Sequence, residues 1–418
     1  MNREFEIILW GATGFVGRLA TQQLFARSRG SDLRWAIGGR NRDELESLRA
    51  ELGPGAAHLP VVLGDCFDQA SLDSLASRTN VVCSAVGPYA KYGSGLVAAC
   101  VGHGTHYCDI AGEVQWIRRM IDTHQAEAEQ TGARLVPACG MDSVPSDLGV
   151  FFLQRNARKR LGAPCSRIRM RLTAMSGGCS GGTSASLMHG LEEDSEDQAV
   201  SRCIADPYSL NPEGERHGPD PPDRVASCEV QFDRDLKTWL KPFIMGPVNA
   251  KIVRRTNALL DYPYGRDFRY EEAQATGGGP IGWLKATTEA AGLVGMMAGA
   301  RIPPARWMLE NFVLPGSGDG PTEEERVSGL WEIAMIGSLD GESVMQAEIR
   351  GQGDPATSST SKMLVESALC LARDAERIAV PGGFWTPASA MGPLLLARLV
   401  TNADVTFDLY ELSDEDDE

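Results

Sequence analysis

Residues 5–17 run Phe5-Glu-Ile-Ile-Leu-Trp-Gly-Ala-Thr-Gly-Phe-Val-Gly17, a short apolar stretch that passes directly into three glycines spaced three apart. The apolar half is rich in strand-forming residues. A glycine turn between a strand and a helix lets the backbone approach a pyrophosphate closely, and it points the amino end of the helix at that negative charge. The pattern predicts a dinucleotide site, and its expected contacts are Gly11, Thr13, Gly14, Phe15, Val16 and Gly17.

Around this turn, candidate strands and helices alternate through the first 150 residues. The strand candidates are 5–10, 34–38, 59–63, 80–85, 105–110 and 134–137, and the helix candidates between them are 18–29, 41–52, 71–77, 94–101 and 114–131. Such alternation is typical of an α/β fold with a Rossmann-type, doubly wound parallel sheet. Ligands of these sheets bind outside the carboxyl ends of the strands, so we expect the site at that edge.

The residues after the second strand candidate indicate whether the cofactor is NAD(H) or NADP(H). NAD enzymes usually carry an acidic residue there, whereas this chain has Arg40. A guanidinium pairs with a 2′-phosphate through forked, charge-assisted hydrogen bonds, so Arg40 predicts NADP(H), with Asn41 or Arg42 assisting. The alternative is that Arg40 is a solvated residue that caps the next helix. After the third strand candidate, Asp65 either meets the adenine edge or simply starts a turn.

Three polar loops follow the fourth, fifth and sixth strand candidates, at 84–93, 107–113 and 139–149. Each combines turn-forming residues with polar or ionisable side chains, as expected of a ligand surface. We expect the first loop to contact the cofactor through Ala85, Val86 and Gly87. Candidates to orient the substrate or move a proton are Tyr89, Tyr92, Asp109 and Asp142, together with Glu113 and Ser143. Each of these residues, taken singly, has a purely structural alternative.

Composition excludes several classes of protein. The 418 residues are 43% hydrophobic and 23% charged, and the formal net charge of −16 disfavours a nucleic-acid partner. The ten cysteines have no paired spacing, so we predict neither a disulfide framework nor a metal site. An apolar run that begins at Phe5 leaves no room for a signal peptide, and no run reaches the roughly 18 apolar residues of a membrane span. We expect a cytoplasmic protein, with peripheral membrane or lipid contact left open.

Several motifs resemble a known family. They are GATGFVG at 11–17, VGPYAKYG at 86–93, YCDIAGE at 107–113, GMDSVPSDLG at 140–149, SGGT at 180–183, Asp354-Pro355, KMLVESALCL at 362–371 and GGFWTPA at 382–388. In these the chain resembles the saccharopine dehydrogenase-like oxidoreductases, and most closely the trans-acting enoyl reductases of mycobacterial-type lipid synthesis. The resemblance implies a Rossmann domain, an inserted α+β domain and a carboxyl-terminal helix that returns to the first domain. It also implies NADPH-dependent reduction of a carbon–carbon double bond on a carrier-bound acyl chain.

Together these patterns predict four parts of the chain. They are a dinucleotide-binding domain at 1–150, a substrate-binding α+β domain at 151–375, a segment at 376–412 that packs back on the first domain, and an acidic tail at 413–418. The glycine-rich turn at 177–183 either lines an acyl channel or only permits close packing. For the mildly apolar stretch 281–300 we expect a buried helix, and the alternatives are a hydrophobic lid or a membrane contact.

Three functional hypotheses follow from the sequence and the resemblance. The first is reduction of an enoyl thioester with NADPH, the substrate being an acyl thioester or another lipid-like molecule, free or bound to a carrier protein. The second is chemistry at a carbon–nitrogen bond of an amino-acid-like substrate, which would require basic side chains to hold carboxylates. The third is a non-catalytic, NADP-sensing or lipid-surface protein.

Overall fold

The chain forms two sheets, and the computed structural model describes residues 3–177, 181–218, 229–316 and 319–412. The predicted acidic tail at 413–418 lies outside the described residues, as does part of the glycine-rich turn at 177–183. Across the described ranges, no helix is both long enough and apolar enough to cross a bilayer.

The first sheet is parallel throughout and confirms the predicted Rossmann-type fold. Its strands are β1 Phe5–Trp10, β2 Trp35–Gly39, β3 Val61–Leu63, β4 Thr79–Ser84, β5 His106–Cys108, β6 Arg134–Val136 and β13 Gly383–Phe384. The strand order is β3-β2-β1-β4-β5-β6-β13, so the chain reverses its winding between β1 and β4. A ligand-binding crevice is expected at such a reversal, outside the carboxyl ends of the strands.

Helices cover both faces of this sheet. They are α1 Phe15–Ser28, α2 Arg42–Glu51, α3 Gln69–Ser77, α4 Tyr89–Tyr92, α5 Ser94–Gly102, α6 Val114–Thr131, α14 Thr360–Arg373 and α15 Pro387–Asn402. Successive residues of β1 point to opposite faces. Ile7 and Leu9 belong to the core shared with α14, and Ile8 and Trp10 belong to the core shared with α3 and α5. Burial on both faces explains why residues 7–10 of β1 are a continuous apolar run rather than an alternating one.

The second sheet is mixed and carries helices on one face. Its strands are β7 Arg167–Ser176, β8 Gln231–Asp233, β9 Thr238–Pro242, β10 Arg269–Gly277, β11 Leu330–Leu339, β12 Glu342–Gln352 and β14 Val405–Glu411. The order is β14-β12-β11-β7-β10-β9-β8, in which β7 and β10 are parallel and the other pairs antiparallel. In β7, Ile168, Met170 and Leu172 are buried, as the alternating sequence predicts.

Seven further helices connect or flank the second sheet. They are α7 Val144–Arg160, α8 Gly181–Glu196, α9 Gln198–Ala205, α10 Gly246–Leu259, α11 Gly279–Ala300, α12 Pro303–Met308 and α13 Glu323–Ser328. The expectation of a buried helix at 281–300 is wrong. Only Gly282, Ala286, Ala290 and Ala300 of α11 are buried, so the helix rests on its small residues and exposes its large apolar ones.

The last third of the chain crosses between the two sheets. β13 joins the first sheet beside β6, whereas β14 pairs with β12 in the second. α14 packs against α1 and β4, so it covers the first sheet although its residues precede the expected boundary at 375. The segment 376–412 therefore packs on both sheets rather than on the first alone.

Gly382 allows β13 to lie against the end of α6. A Cβ at this position would lie 2.1 Å from the carbonyl oxygen of Ala128 and 2.7 Å from the Cα of Gly132. Both contacts are with backbone, which cannot move aside as the end of a side chain can. We therefore expect Gly382→Ala to lower the free energy of unfolding by about 1–3 kcal/mol in urea titrations.

The matched control is Gly102→Ala at the end of α5, where an added Cβ would meet nothing within 4 Å. We expect that change to stay within about 0.5 kcal/mol of the parent. Equal stability of the two variants would mean that the contact between β13 and α6 does not constrain the fold.

Candidate functional site

The turn after β1 is shaped by two close backbone approaches. Gly11 has a φ of 84°, which favours glycine, and a Cβ on Gly17 would lie 2.0 Å from the carbonyl oxygen of Gly11. α1 can therefore pack directly on the turn. Gly14 is the N-cap of α1 and offers no side-chain cap to the first amides of the helix. This cradle fits a pyrophosphate, because uncapped amides at a helix amino end attract an anion.

The loop after β4 closes against the same turn. The Ala85 amide donates to the Trp10 carbonyl oxygen at 2.9 Å. A Cβ on Gly11 would come within 2.4 Å of Val86 Cγ2, so these two loops touch. Gly87 faces α8, since a Cβ there would lie 3.4 Å from Ser186 Oγ. The predicted cofactor residues of the first and fourth strand ends thus share one surface.

Arg40 lines a cavity of about 500 Å³ beside the glycine turn, together with Thr13, Asn41, Arg42 and Glu44. Arg40 is exposed and makes no hydrogen bond or ion pair with any residue in the described ranges. Its guanidinium is therefore available to a phosphate. Asn41 caps α2 instead, because its Oδ1 accepts from the amides of Asp43 and Glu44 and its Nδ2 donates to Glu44 Oε1. The helix cap that was an alternative for Arg40 is thus supplied by its neighbour.

Asp65 begins a turn. Its Oδ1 accepts from the Phe67 amide at 2.9 Å, and its own amide donates to Ser71 Oγ at 3.0 Å. The turn leads into α3. The structure thus shows the structural alternative for this residue, and contact with adenine stays a prediction.

The two tyrosines of the loop 84–93 lie in different places. Tyr89 is buried, and its ring packs at a tilt against Trp116 with 5.4 Å between ring centroids. Its hydroxyl donates to the Ser84 carbonyl oxygen at 3.1 Å. The same hydroxyl accepts from the Ile110 amide at 3.3 Å. Tyr92 is half-buried, and its ring meets the edge of Phe67 at 5.9 Å, beside the loop that follows β3. The two tyrosine rings thus have different neighbours.

Asp109 and Glu113 hold the loops in position. Asp109 is fully buried, and its carboxyl accepts from the Tyr107 hydroxyl at 2.8 Å and from the amides of Ala111 and Ala138 at 2.9 and 3.1 Å. Burial raises the pKa of Asp109 to about 7. The Glu113 carboxyl accepts from the amides of Tyr89 and Ala90, at the start of α4. These contacts commit both carboxyls to the backbone.

Asp142 differs from these carboxyls. It is half-buried in the loop between β6 and α7, and it accepts no hydrogen bond from residues within the described ranges. Burial raises the pKa of Asp142 to about 6. Its carboxyl is thus held in a poorly solvated place without a structural partner, which is typical of a group that acts on a ligand.

A second carboxyl, which the sequence analysis did not select, lies near Asp142. Burial raises the pKa of Glu272 on β10 to about 7, and hydrogen bonds offset part of this rise while the charge of Asp142 adds to it. Glu272 accepts from the Tyr270 hydroxyl at 2.6 Å and from Asn249 Nδ2 at 2.9 Å. The Ser143 hydroxyl donates to Asn249 Oδ1 at 2.9 Å, which connects the loop at 142–143 to α10 and β10.

This network joins the carboxyl edge of the first sheet to the second sheet. A carboxylate on the buried face of a strand was the sequence feature that could have identified Glu272. The run Tyr270-Glu-Glu-Ala273 places consecutive glutamates on opposite faces, so one of them had to face the core. Helix α8 covers the neighbouring loop, where Ser186 hydrogen-bonds Glu113.

Comparison with known proteins identifies the first sheet and the whole chain. Residues 7–136 match the family described as the saccharopine dehydrogenase NADP binding domain. The chain is 38% identical over 413 residues to a putative trans-acting enoyl reductase of Mycobacterium tuberculosis, covering 95% of this chain and 96% of that protein. It is also 38% identical over 412 residues to a trans-acting enoyl reductase of Mycobacterium ulcerans, with the same coverage of 95% and 96%.

Among solved structures, apo saccharopine dehydrogenase (L-Glu forming) from Saccharomyces cerevisiae has a TM-score of 0.55 at 11% identity, covering 98% of this chain and 100% of that one. At this level of identity the likeness concerns the fold. Together with the glycine cradle and the available guanidinium of Arg40, the matches establish an NADP-dependent oxidoreductase. The chain belongs to the saccharopine dehydrogenase-like oxidoreductases, in the branch of the trans-acting enoyl reductases.

Proposed function

We propose that this protein uses NADPH to reduce a carbon–carbon double bond of an acyl thioester. The names of the relatives, which cover the chain almost end to end, support the reaction class. The observation that carries the chemistry is the Asp142 carboxyl, which has a raised pKa and no hydrogen-bond partner among the described residues. The word trans-acting in those names fits a substrate presented by another protein, so a carrier-bound acyl thioester is the form that we propose.

The reaction requires two additions to the double bond. When bound, NADPH supplies a hydride for the β-carbon of the enoyl thioester. The electron pair of the double bond then passes to the thioester carbonyl, and the resulting enolate must receive a proton at its α-carbon. In this proposal the Asp142 carboxyl gives that proton and is then reprotonated from solvent.

Glu272 acts on Asp142 as a positioning residue. Its carboxyl is held by Tyr270 and Asn249, and two neighbouring carboxyls cannot both ionise freely in a poorly solvated site. Their mutual repulsion favours a state in which the pair retains one proton. Asn249 also binds Ser143, the residue next to Asp142, so the network fixes the backbone that carries the proposed donor.

A carbon–nitrogen substrate is less well supported. The loops 84–93, 107–113 and 139–149 contain one basic residue, Lys91, and its side chain is exposed. On α10, Lys251 donates to the carbonyl oxygens of Ile204 and Pro247, and Arg255 donates to those of Leu210 and Phe384. These cations are occupied by backbone, so they do not offer the binding of carboxylates that an amino-acid substrate needs.

Replacing Arg40 should weaken the binding of NADPH but not the binding of NADH. We expect Arg40→Ala to weaken NADPH binding by about tenfold to a hundredfold in calorimetry, because a charge-assisted pair with the 2′-phosphate contributes about 1.5–3 kcal/mol. NADH lacks that phosphate, so its affinity should be unchanged. Arg29→Ala, which removes another exposed arginine at the end of α1, is the control. Equal losses of affinity for NADPH and NADH would show that Arg40 does not contact the 2′-phosphate.

Replacing Asp142 should slow the chemical step without affecting the coenzyme. We expect Asp142→Asn to lower kcat for an enoyl thioester by about 10²- to 10⁴-fold, since an amide cannot give a proton, while the Kd for NADPH stays the same. The exposed carboxyl Asp267, replaced by asparagine, is the matched control. An unchanged kcat would exclude Asp142 as the donor.

The rate should also depend on pH. The donor is active when protonated, and burial raises the pKa of Asp142 to about 6. We therefore expect the single-turnover rate of NADPH oxidation to decline as the pH rises through about 6, and this decline should be absent from the residual rate of Asp142→Asn. A rate that increases over the same range would show that the required form is the carboxylate.

A further inference from the structure

Large apolar side chains are concentrated on one part of the surface. Of the 20 large hydrophobic residues that are exposed in the described ranges, ten lie between residues 281 and 313. We call residues 279–313, which include α11 and α12, the apolar hairpin. Its exposed members are Ile281, Trp283, Leu284, Val294, Met297, Ile302, Trp307, Met308, Phe312 and Val313. Such a concentration of exposed large apolar residues in one segment indicates an interaction surface.

α11 rests on the protein through a stripe of small residues. Gly282, Ala286 and Ala290 are buried at intervals of four, and they bring α11 close to β9 and β10. Trp283, Val294 and Met297 are separated by close to three and four helical turns, so they share another face. The hairpin thus exposes its apolar side chains along most of a helix of 22 residues.

The hairpin also lacks the acidic charge of the rest of the protein. The chain has 56 acidic and 40 basic residues, yet residues 279–313 contain three basic residues and two acidic ones. Glu289 pairs with Lys241 at 2.6 Å, Arg301 with Asp194 at 2.6 Å and Arg306 with Glu192 at 3.0 Å. Lys285 makes no ion pair within the described residues, so α11 carries an unpaired positive charge.

We propose that the apolar hairpin docks on an anionic lipid surface. Apolar side chains would enter the boundary between head groups and acyl chains, and Lys285 would lie at the level of the phosphates. Trp283 and Trp307 stand near opposite ends of the hairpin, and tryptophan is the side chain favoured at that boundary. Repulsion between anionic lipid and the acidic remainder of the protein would orient the hairpin toward the surface.

The composition favours lipid over a protein partner. Residues 290–300 contain no charged, hydroxyl or amide side chain, and this stretch is largely exposed. A protein interface normally surrounds its apolar core with a polar rim that forms hydrogen bonds across the contact. An interface with hydrocarbon needs no such rim.

The hairpin is attached to the helix that covers the candidate site. Met188 and Leu191 of α8 form a small core with Ala300 of α11, and Leu309 and Leu314 pack against it. Near its amino end, α8 carries Ser186, which approaches Gly87 and bonds Glu113. Docking of the hairpin would place the candidate site beside the membrane that holds an acyl substrate. This consequence rests on the proposed function.

The full-length protein can be tested by co-sedimentation with phosphatidylcholine vesicles that contain or lack phosphatidylglycerol. We expect binding that is stronger to the anionic vesicles, and about tenfold or more weaker in the triple variant Trp283→Ser, Leu284→Ser and Trp307→Ser. Lys285→Glu should weaken binding to the anionic vesicles alone. The control variant Val400→Ser and Tyr410→Ser removes exposed apolar side chains elsewhere and should bind as the parent does.

NADPH affinity, measured by calorimetry in every variant, verifies the fold of the first domain independently of lipid. Vesicle binding does not depend on turnover, so failure of the proposed enoyl reduction would leave this result unaffected. The inference is overturned if the parent does not bind either kind of vesicle, or if the triple variant binds as the parent does. It is also overturned if sedimentation velocity shows a dimer that the triple variant abolishes, because a second copy would then cover the hairpin.

Discussion

The contact between Gly17 and the carbonyl oxygen of Gly11 is the constraint on which the first domain depends. It sets α1 directly on the turn after β1, so the uncapped amides of the helix lie at the carboxyl edge of the parallel sheet. Val86 closes the same space from β4. A methyl group at position 17 would separate helix and turn, and the cofactor cradle would lose its geometry.

Buried carboxyls give the site its second organising feature. Burial raises the pKa of Asp109, Asp147 and Glu272 to about 7, and of Asp142 to about 6. Their hydrogen-bond partners distinguish their roles. Asp109 holds the ends of β5 and β6 together, and Asp147 accepts from the Ala388 amide at the start of α15. Glu272 joins α10 to β10. Asp142 alone among these four has no such bond in the described part of the chain.

The sequence was most informative where one local pattern controls the backbone. The glycine turn and the apolar β1 predicted the first sheet. The same local reasoning could have predicted that Asn41 caps α2 and leaves Arg40 unpaired. The role of Tyr89 could not be predicted in this way, because only the fold reveals that its hydroxyl is bonded to Ser84 and Ile110. Glu272 lies 130 residues from Asp142 in the chain, and no local pattern connects them. The prediction of a buried helix at 281–300 failed for a related reason. The positions that are buried at intervals of four hold glycine and alanine rather than the large apolar residues.

The central claim is that hydride from NADPH and a proton from the protein add to the two carbons of an enoyl thioester. Mass spectrometry of the product formed with C4-deuterated NADPH tests it most directly. The account predicts one deuterium at the β-carbon in ordinary water and, with unlabelled NADPH in heavy water, one deuterium at the α-carbon. Deuterium transfer to a carbon–nitrogen bond of an amino-acid substrate, with none to the enoyl thioester, would contradict it.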